Sequence, residues 1–92
     1  MPTTIKIPPV LRAQTGGEAE VAADGSDVGA VLRSLASAHP GTQKQLFDED
    51  GELNRYVNVY LNDEDVRSLK GPKTPLKDGD SLLIVPAIAG GS

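Results

Sequence analysis

The chain has 92 residues, 38% hydrophobic and 24% charged, which fits one domain and leaves no room for a second core. Thirteen acidic residues against nine basic ones give a net charge of -4, so no basic stripe can grip a phosphate backbone, and nucleic acid is excluded as the expected partner. With no cysteine there are no disulfides, no thiolate metal ligands and no protein-borne persulfide.

No stretch approaches the roughly 20 apolar residues that span a bilayer, so no membrane is expected. Met1-Pro2-Thr3-Thr4 lacks the charged and apolar regions of a signal peptide, and the expected location is the cytoplasm. A domain of this size buries only about 60–65% of its unfolded surface, which favours function on the outside or at an end over a deep enclosed pocket.

Thr4 to Leu11 opens with Ile5 and Ile7 alternating around Lys6, the pattern of a strand with both isoleucines inward. Pro8 and Pro9 remove two ladder donors, placing the later half of that segment at a sheet margin or bulge. Gly16-Gly17 predicts a hairpin turn into a second strand, Glu18 to Ala23, with Ala19, Val21 and Ala23 on one face. After the turn Asp24-Gly25, Ser26 or Asp27 offers an N-cap to a helix whose Val28, Val31, Leu32 and Leu35 fall at i, i+3, i+4, i+7. That helix should end near Ala38, because Pro40 cannot continue it.

Leu46 and Phe47 among polar residues predict a short helical turn, followed by the loop Asp48-Glu49-Asp50-Gly51. Tyr56 to Leu61 is a strand, with Val57, Val59 and Leu61 on one side and Tyr56, Asn58 and Tyr60 on the other. Asn62-Asp63 turns into a short strand around Val66, and Gly71, Pro72 and Pro75 keep the next stretch irregular. Lys77-Asp78-Gly79-Asp80 is a turn before the last strand, Ser81 to Val85, which Pro86 ends. Its Leu82 and Ile84 face the core, so Leu83 and Val85 should stand on the opposite, helix-free face.

The element order predicts an α+β fold: a mixed sheet of four to five strands packed on one main helix, the β-grasp or ubiquitin-like arrangement. The expected division is a β-grasp domain over residues 1–87 and a flexible small-residue tail over 88–92, containing Ile88, Ala89, Gly90 and Gly91. His39 sits beside Pro40 at the helix end and lacks the partners of a catalytic base. The acidic groups Asp48-Glu49-Asp50 and Asp63-Glu64-Asp65 lack the spacing of a calcium loop and are expected to be solvated turns. Neither catalytic residues nor metal ligands are expected on this chain, which is therefore not expected to be an enzyme.

The runs Tyr56-Val57-Asn58-Val59-Tyr60-Leu61-Asn62-Asp63-Glu64-Asp65-Val66-Arg67, Leu76-Lys77-Asp78-Gly79-Asp80 and Pro86-Ala87-Ile88-Ala89-Gly90-Gly91 resemble the MoaD/ThiS family of sulfur carriers. Ile7-Pro8, Leu11-Arg12 and Val28-Gly29-Ala30-Val31 extend the likeness over nearly the whole chain. The resemblance implies that the Gly91 carboxylate is adenylated and converted to a thiocarboxylate, with Gly90, Ala89 and Ile88 threading a partner's channel. It is strongest to the branch of the family that serves cysteine synthesis; thiamine, molybdopterin, a sulfur-containing secondary metabolite or a ubiquitin-like role in protein modification are the alternatives.

The implied partners are a ubiquitin-activating-type enzyme using ATP, a PLP-dependent synthase that accepts the sulfur, and a metalloprotease that releases product or trims the tail. No cofactor is expected on the carrier itself. Leu83 and Val85 are the expected docking residues, and the resemblance adds Pro8 and Val66. Ser92 departs from the family pattern, in which a glycine carboxylate is terminal, and is expected to be a remnant of cloning or a residue trimmed before activation.

Overall fold

The computed structural model describes residues 2–54 and 56–86. Strand β1 (Thr3–Lys6) buries Thr3 and Ile5 and exposes Thr4 and Lys6. It stops short of the expected Leu11 because Pro9 starts a 3-10 helix, Pro9–Thr15; a proline in the first helical turn needs no donor there, and its fixed φ suits the turn. That segment buries Leu11 and Thr15 and closes at Gly16 and Gly17, with φ of 67° and 86°. The double glycine is thus a turn, as expected, but it ends a seven-residue helical segment and is not a tight hairpin loop.

β2 (Glu20–Ala23) runs antiparallel to β1, with Ile5 opposite Val21. Helix α1 (Val28–Ala38) follows; Asp27 Oδ1 accepts the Ala30 N–H at 2.8 Å, which identifies the cap between the two expected candidates. Val28, Val31, Leu32, Leu35 and Ala36 form its buried face. A single turn, α2 (Gln43–Leu46), sends Leu46 and Phe47 into the same core.

β3 (Val57–Leu61) and β4 (Glu64–Asp65) form a hairpin through Asn62 and Asp63. Both carry positive φ, 50° and 75°, the geometry of a two-residue turn whose twist matches a β-ribbon. β5 (Ser81–Pro86) lies at the centre of the sheet, whose order is β2-β1-β5-β3-β4. It is parallel to β1 and antiparallel to β3. Ile5, Val59, Leu82 and Ile84 pack on the same core cluster as Val31, Leu32 and Leu35 of α1, so one sheet face is closed by the helix. Alternation leaves Leu83 and Val85 on the other face, 38% and 37% exposed.

Candidate functional site

β5 is the central strand; its pairing with β1 ends at Leu83, opposite Lys6, and its pairing with β3 continues to Pro86, opposite Val57, where the described sheet ends. The expected tail residues Ile88, Ala89, Gly90 and Gly91 lie outside the described residues, as does the boundary placed after residue 87. What the structure defines is the platform before them.

On the helix-free face, Leu83 is flanked by Lys6 of β1 and Tyr60 of β3, and Val85 lies opposite Asn58. Beside them runs an open groove of about 380 Å³, walled by Ile7, Pro8, Arg12, Leu83, Val85 and Pro86. Pro8 is half-buried in that wall, next to the two docking residues expected from alternation. Arg12 Nε donates to the Ile7 carbonyl at 3.1 Å, holding the 3-10 segment against the end of β1. Leu83, Val85 and Pro8 are therefore brought together.

Val66 is not among them. The expectation that it serves docking is corrected: its side chain is fully buried in the core. β4 ends at Asp65, and Val66 begins a 3-10 turn, Val66–Ser68, so strand alternation no longer governs where it points. Its neighbour Arg67 faces outward and donates to Asn58 Oδ1 at 2.7 Å, to the Val57 carbonyl at 2.9 Å and to the Asn54 carbonyl at 3.2 Å. Sequence reading assigned no role to Arg67.

Asp80 precedes β5 and is buried. Its Oδ2 accepts the Lys77 N–H at 2.9 Å and its Oδ1 accepts from Asn62 Nδ2, also at 2.9 Å. The Lys77 N–H, then the Asn62 amide, hold its carboxyl below the usual carboxylate range against the opposing effect of desolvation. In the acidic loop, Asp48 Oδ1 accepts the N–H groups of Asp50 and Glu52 at 2.9 and 3.0 Å, which makes it a turn-forming carboxylate. No group of three His, Cys, Asp or Glu side chains that could hold a metal ion occurs among the described residues. No described helix is long and apolar enough to cross a membrane.

A mixed five-stranded sheet with its long helix on one face, an aliphatic strip on the other and the chain end continuing from the central strand defines a ubiquitin-like β-grasp protein. The ThiS family pattern matches residues 5–91. The sulfur carrier protein CysO of Mycobacterium tuberculosis is 46% identical over 93 aligned residues, covering 99% of this chain and 100% of that one. The crystal structure of the Amycolatopsis orientalis BexX/CysO complex contains a chain that superposes with a TM-score of 0.87 at 46% identity, covering 97% of this chain and 99% of that one. Small archaeal modifier protein 3 of Haloferax volcanii is 44% identical over 68 residues, 74% of this chain and 73% of that one. The chain belongs to the ThiS family.

Proposed function

We propose that this protein is a sulfur carrier of the cytoplasm whose Gly91 carboxylate is adenylated and then converted to a thiocarboxylate, with cysteine synthesis as the destination of the sulfur. The observation that carries this reading is the end-to-end likeness to CysO, together with a ThiS family match that runs to residue 91 and so takes in Gly90-Gly91.

The chemistry explains the residue types. A carboxylate is a poor electrophile; attack of its oxygen on the α-phosphorus of ATP expels pyrophosphate and leaves an acyl-adenylate, a mixed anhydride with a good leaving group. A sulfide nucleophile adds to that carbonyl carbon and AMP departs, leaving sulfur on the carrier. Gly90 and Gly91 suit passage through a narrow channel because they carry no side chain to collide, and Ala89 and Ile88 complete the threaded segment. The activated carboxylate must be that of Gly91, so a peptide bond to Ser92 blocks the reaction.

The body serves delivery. Leu83, Val85 and Pro8 give an adenylating partner an aliphatic surface beside the point where the tail begins. ATP, PLP and the metal ion belong to the partners: the activating enzyme, a PLP-dependent synthase that accepts sulfur, and a metalloprotease that frees the product or trims the tail. The test is ATP–pyrophosphate exchange with the cognate activating enzyme on carrier ending at Gly91, which deletion of Gly90 and Gly91 should abolish; persistence of exchange without them contradicts the proposal.

A second reading, a protein modifier, draws support from the likeness to small archaeal modifier protein 3. It shares the activation step and differs in product: a modifier accumulates as higher-mass lysine conjugates, whereas a small-molecule carrier remains free.

A further inference from the structure

The chain as a whole is acidic, with a net charge of -4, yet cations gather where its helix-free face meets the aliphatic strip. Across the sheet, Glu20, Lys6, Leu83, Tyr60 and Asp65 form one row, because each is opposite the next in the strand pairings. The two carboxylates of that row stand at its margins, on β2 and β4, and Lys6 lies between Glu20 and the aliphatic centre.

The surroundings of Val85 differ. Val85 is opposite Asn58, whose Oδ1 accepts from Arg67 Nη1 at 2.7 Å, so a guanidinium stands on the β3 side. On the β1 side, Arg12 helps to wall the groove that Val85 and Pro86 also line. Two arginines thus bracket Val85, and the carboxylate that lines the groove, Glu20, faces Lys6.

Both guanidiniums are held by neutral acceptors. Arg12 Nε donates to the Ile7 carbonyl at 3.1 Å, and Arg67 Nη2 donates to the Val57 and Asn54 carbonyls at 2.9 and 3.2 Å. Neither forms an ion pair with a described residue. A neutral acceptor orients a guanidinium without cancelling its charge. The bond to Ile7 uses Nε alone and leaves both Nη groups of Arg12, the pair of donors that matches a carboxylate. Arg12 is also half-buried beside apolar walls, where a charge is screened less than in open water.

We propose that Arg12 and Arg67 are a carboxylate-recognition pair: the surface that docks on Leu83 and Val85 is that of an adenylating enzyme carrying Asp or Glu side chains on both sides of an apolar seat. This rests on the sulfur-carrier reading above and adds to it the charge of the partner's surface. The aliphatic strip supplies buried area but little selectivity; the flanking arginines fix which partner docks and in which orientation, while the acidic remainder of the chain repels the same partner elsewhere.

A second group of cations, Arg33, Lys70 and Lys73, lines a separate cleft against α1 and provides the control. The test is the Kd of carrier ending at Gly91 for its cognate activating enzyme, by titration calorimetry at about 50 mM and about 500 mM salt. Wild type is compared with Arg12→Gln/Arg67→Gln and with Lys70→Gln/Lys73→Gln, and the thermal midpoint of each is measured. The arginine variant should bind about 30-fold more weakly at low salt, and the gap should narrow to about threefold at high salt, because the lost interaction is between charges. The lysine variant carries the same net charge and should stay within about twofold of wild type at both. Wild-type affinity in the arginine variant, an equal loss in the lysine variant, or a loss that high salt leaves unchanged overturns the proposal; the last would make the arginines supports of the fold through Ile7 and Val57. Should the double variant not fold, Arg12→Gln alone decides by the same criteria, with an expected low-salt loss of about tenfold. An enzyme that does not bind wild-type carrier overturns the sulfur-carrier reading and this proposal with it, whereas the other contrary results overturn this proposal alone.

Discussion

The side-chain amide of Asn62 donates to Asp80 Oδ1 at 2.9 Å, tying the β3–β4 turn to the loop that launches β5 across 18 positions of sequence. Asn62 Oδ1 in turn accepts the Ser81 N–H at 3.1 Å, so the first residue of the central strand is held from the same side chain. Asp80→Ala should lower stability by about 2 kcal/mol, because it leaves the Lys77 N–H and the Asn62 amide without their charged acceptor. Denaturant melts of the two proteins at neutral pH measure it.

The same carboxylate gives a pH signature. Its pKa is lower in the folded protein than its ordinary value of 3.8, so its contribution is fully present above that value and is lost as pH falls through the folded pKa. The stability gap between wild type and Asp80→Asn should therefore be constant near neutral pH and narrow once pH drops below 3.8. A gap that widens on acidification would show that the carboxyl is not stabilised in its charged form.

Gly25 packs against the first turns of α1, and a Cβ built there would lie 2.5 Å from the Val31 nitrogen and 2.8 Å from its Cγ2. The backbone cannot yield without displacing the helix. Gly25→Ala should cost about 2 kcal/mol through overpacking, read as a fall in thermal midpoint.

Leu83 and Val85 are more than a third exposed and contribute little to the core. Leu83→Asp should change stability by under about 1 kcal/mol. If the aliphatic strip docks the activating enzyme, the same substitution should reduce kcat/KM for the carrier roughly 30-fold through KM, the effect of losing a central interface residue. Unchanged kinetics would remove this face from the account.

Much of this architecture is legible in local chemistry. α1 is bounded by a capping aspartate, Asp27, and by Pro40, and its apolar Val28, Val31, Leu32 and Leu35 all lie on the buried face, which Gly29 and Ala36 complete. β5 reads directly from alternation: Leu82 and Ile84 inward, Leu83 and Val85 outward. The departures fall where local rules conflict or where partners are distant. Pro8 and Pro9 signal the end of ladder donation, but the same fixed φ also starts the 3-10 segment Pro9–Thr15, and a strand pattern cannot distinguish the two. Val66 follows a two-residue strand, too short for alternation to carry its direction forward, and the chain turns it into the core. The contacts of Arg67 with Asn54, Val57 and Asn58 depend on the fold of the whole hairpin and have no period in the sequence.

The central claim, that sulfur is carried on the Gly91 carboxylate, is tested most directly by intact mass. Carrier ending at Gly91 is incubated with its activating enzyme, ATP and sulfide, beside carrier that retains Ser92 and carrier lacking its last three residues. The account predicts a mass gain corresponding to exchange of one oxygen for sulfur, confined to the protein ending at Gly91 and mapped to its C-terminal peptide. Equal sulfur gain with Ser92 retained, or any gain in the shortened chain, would contradict it.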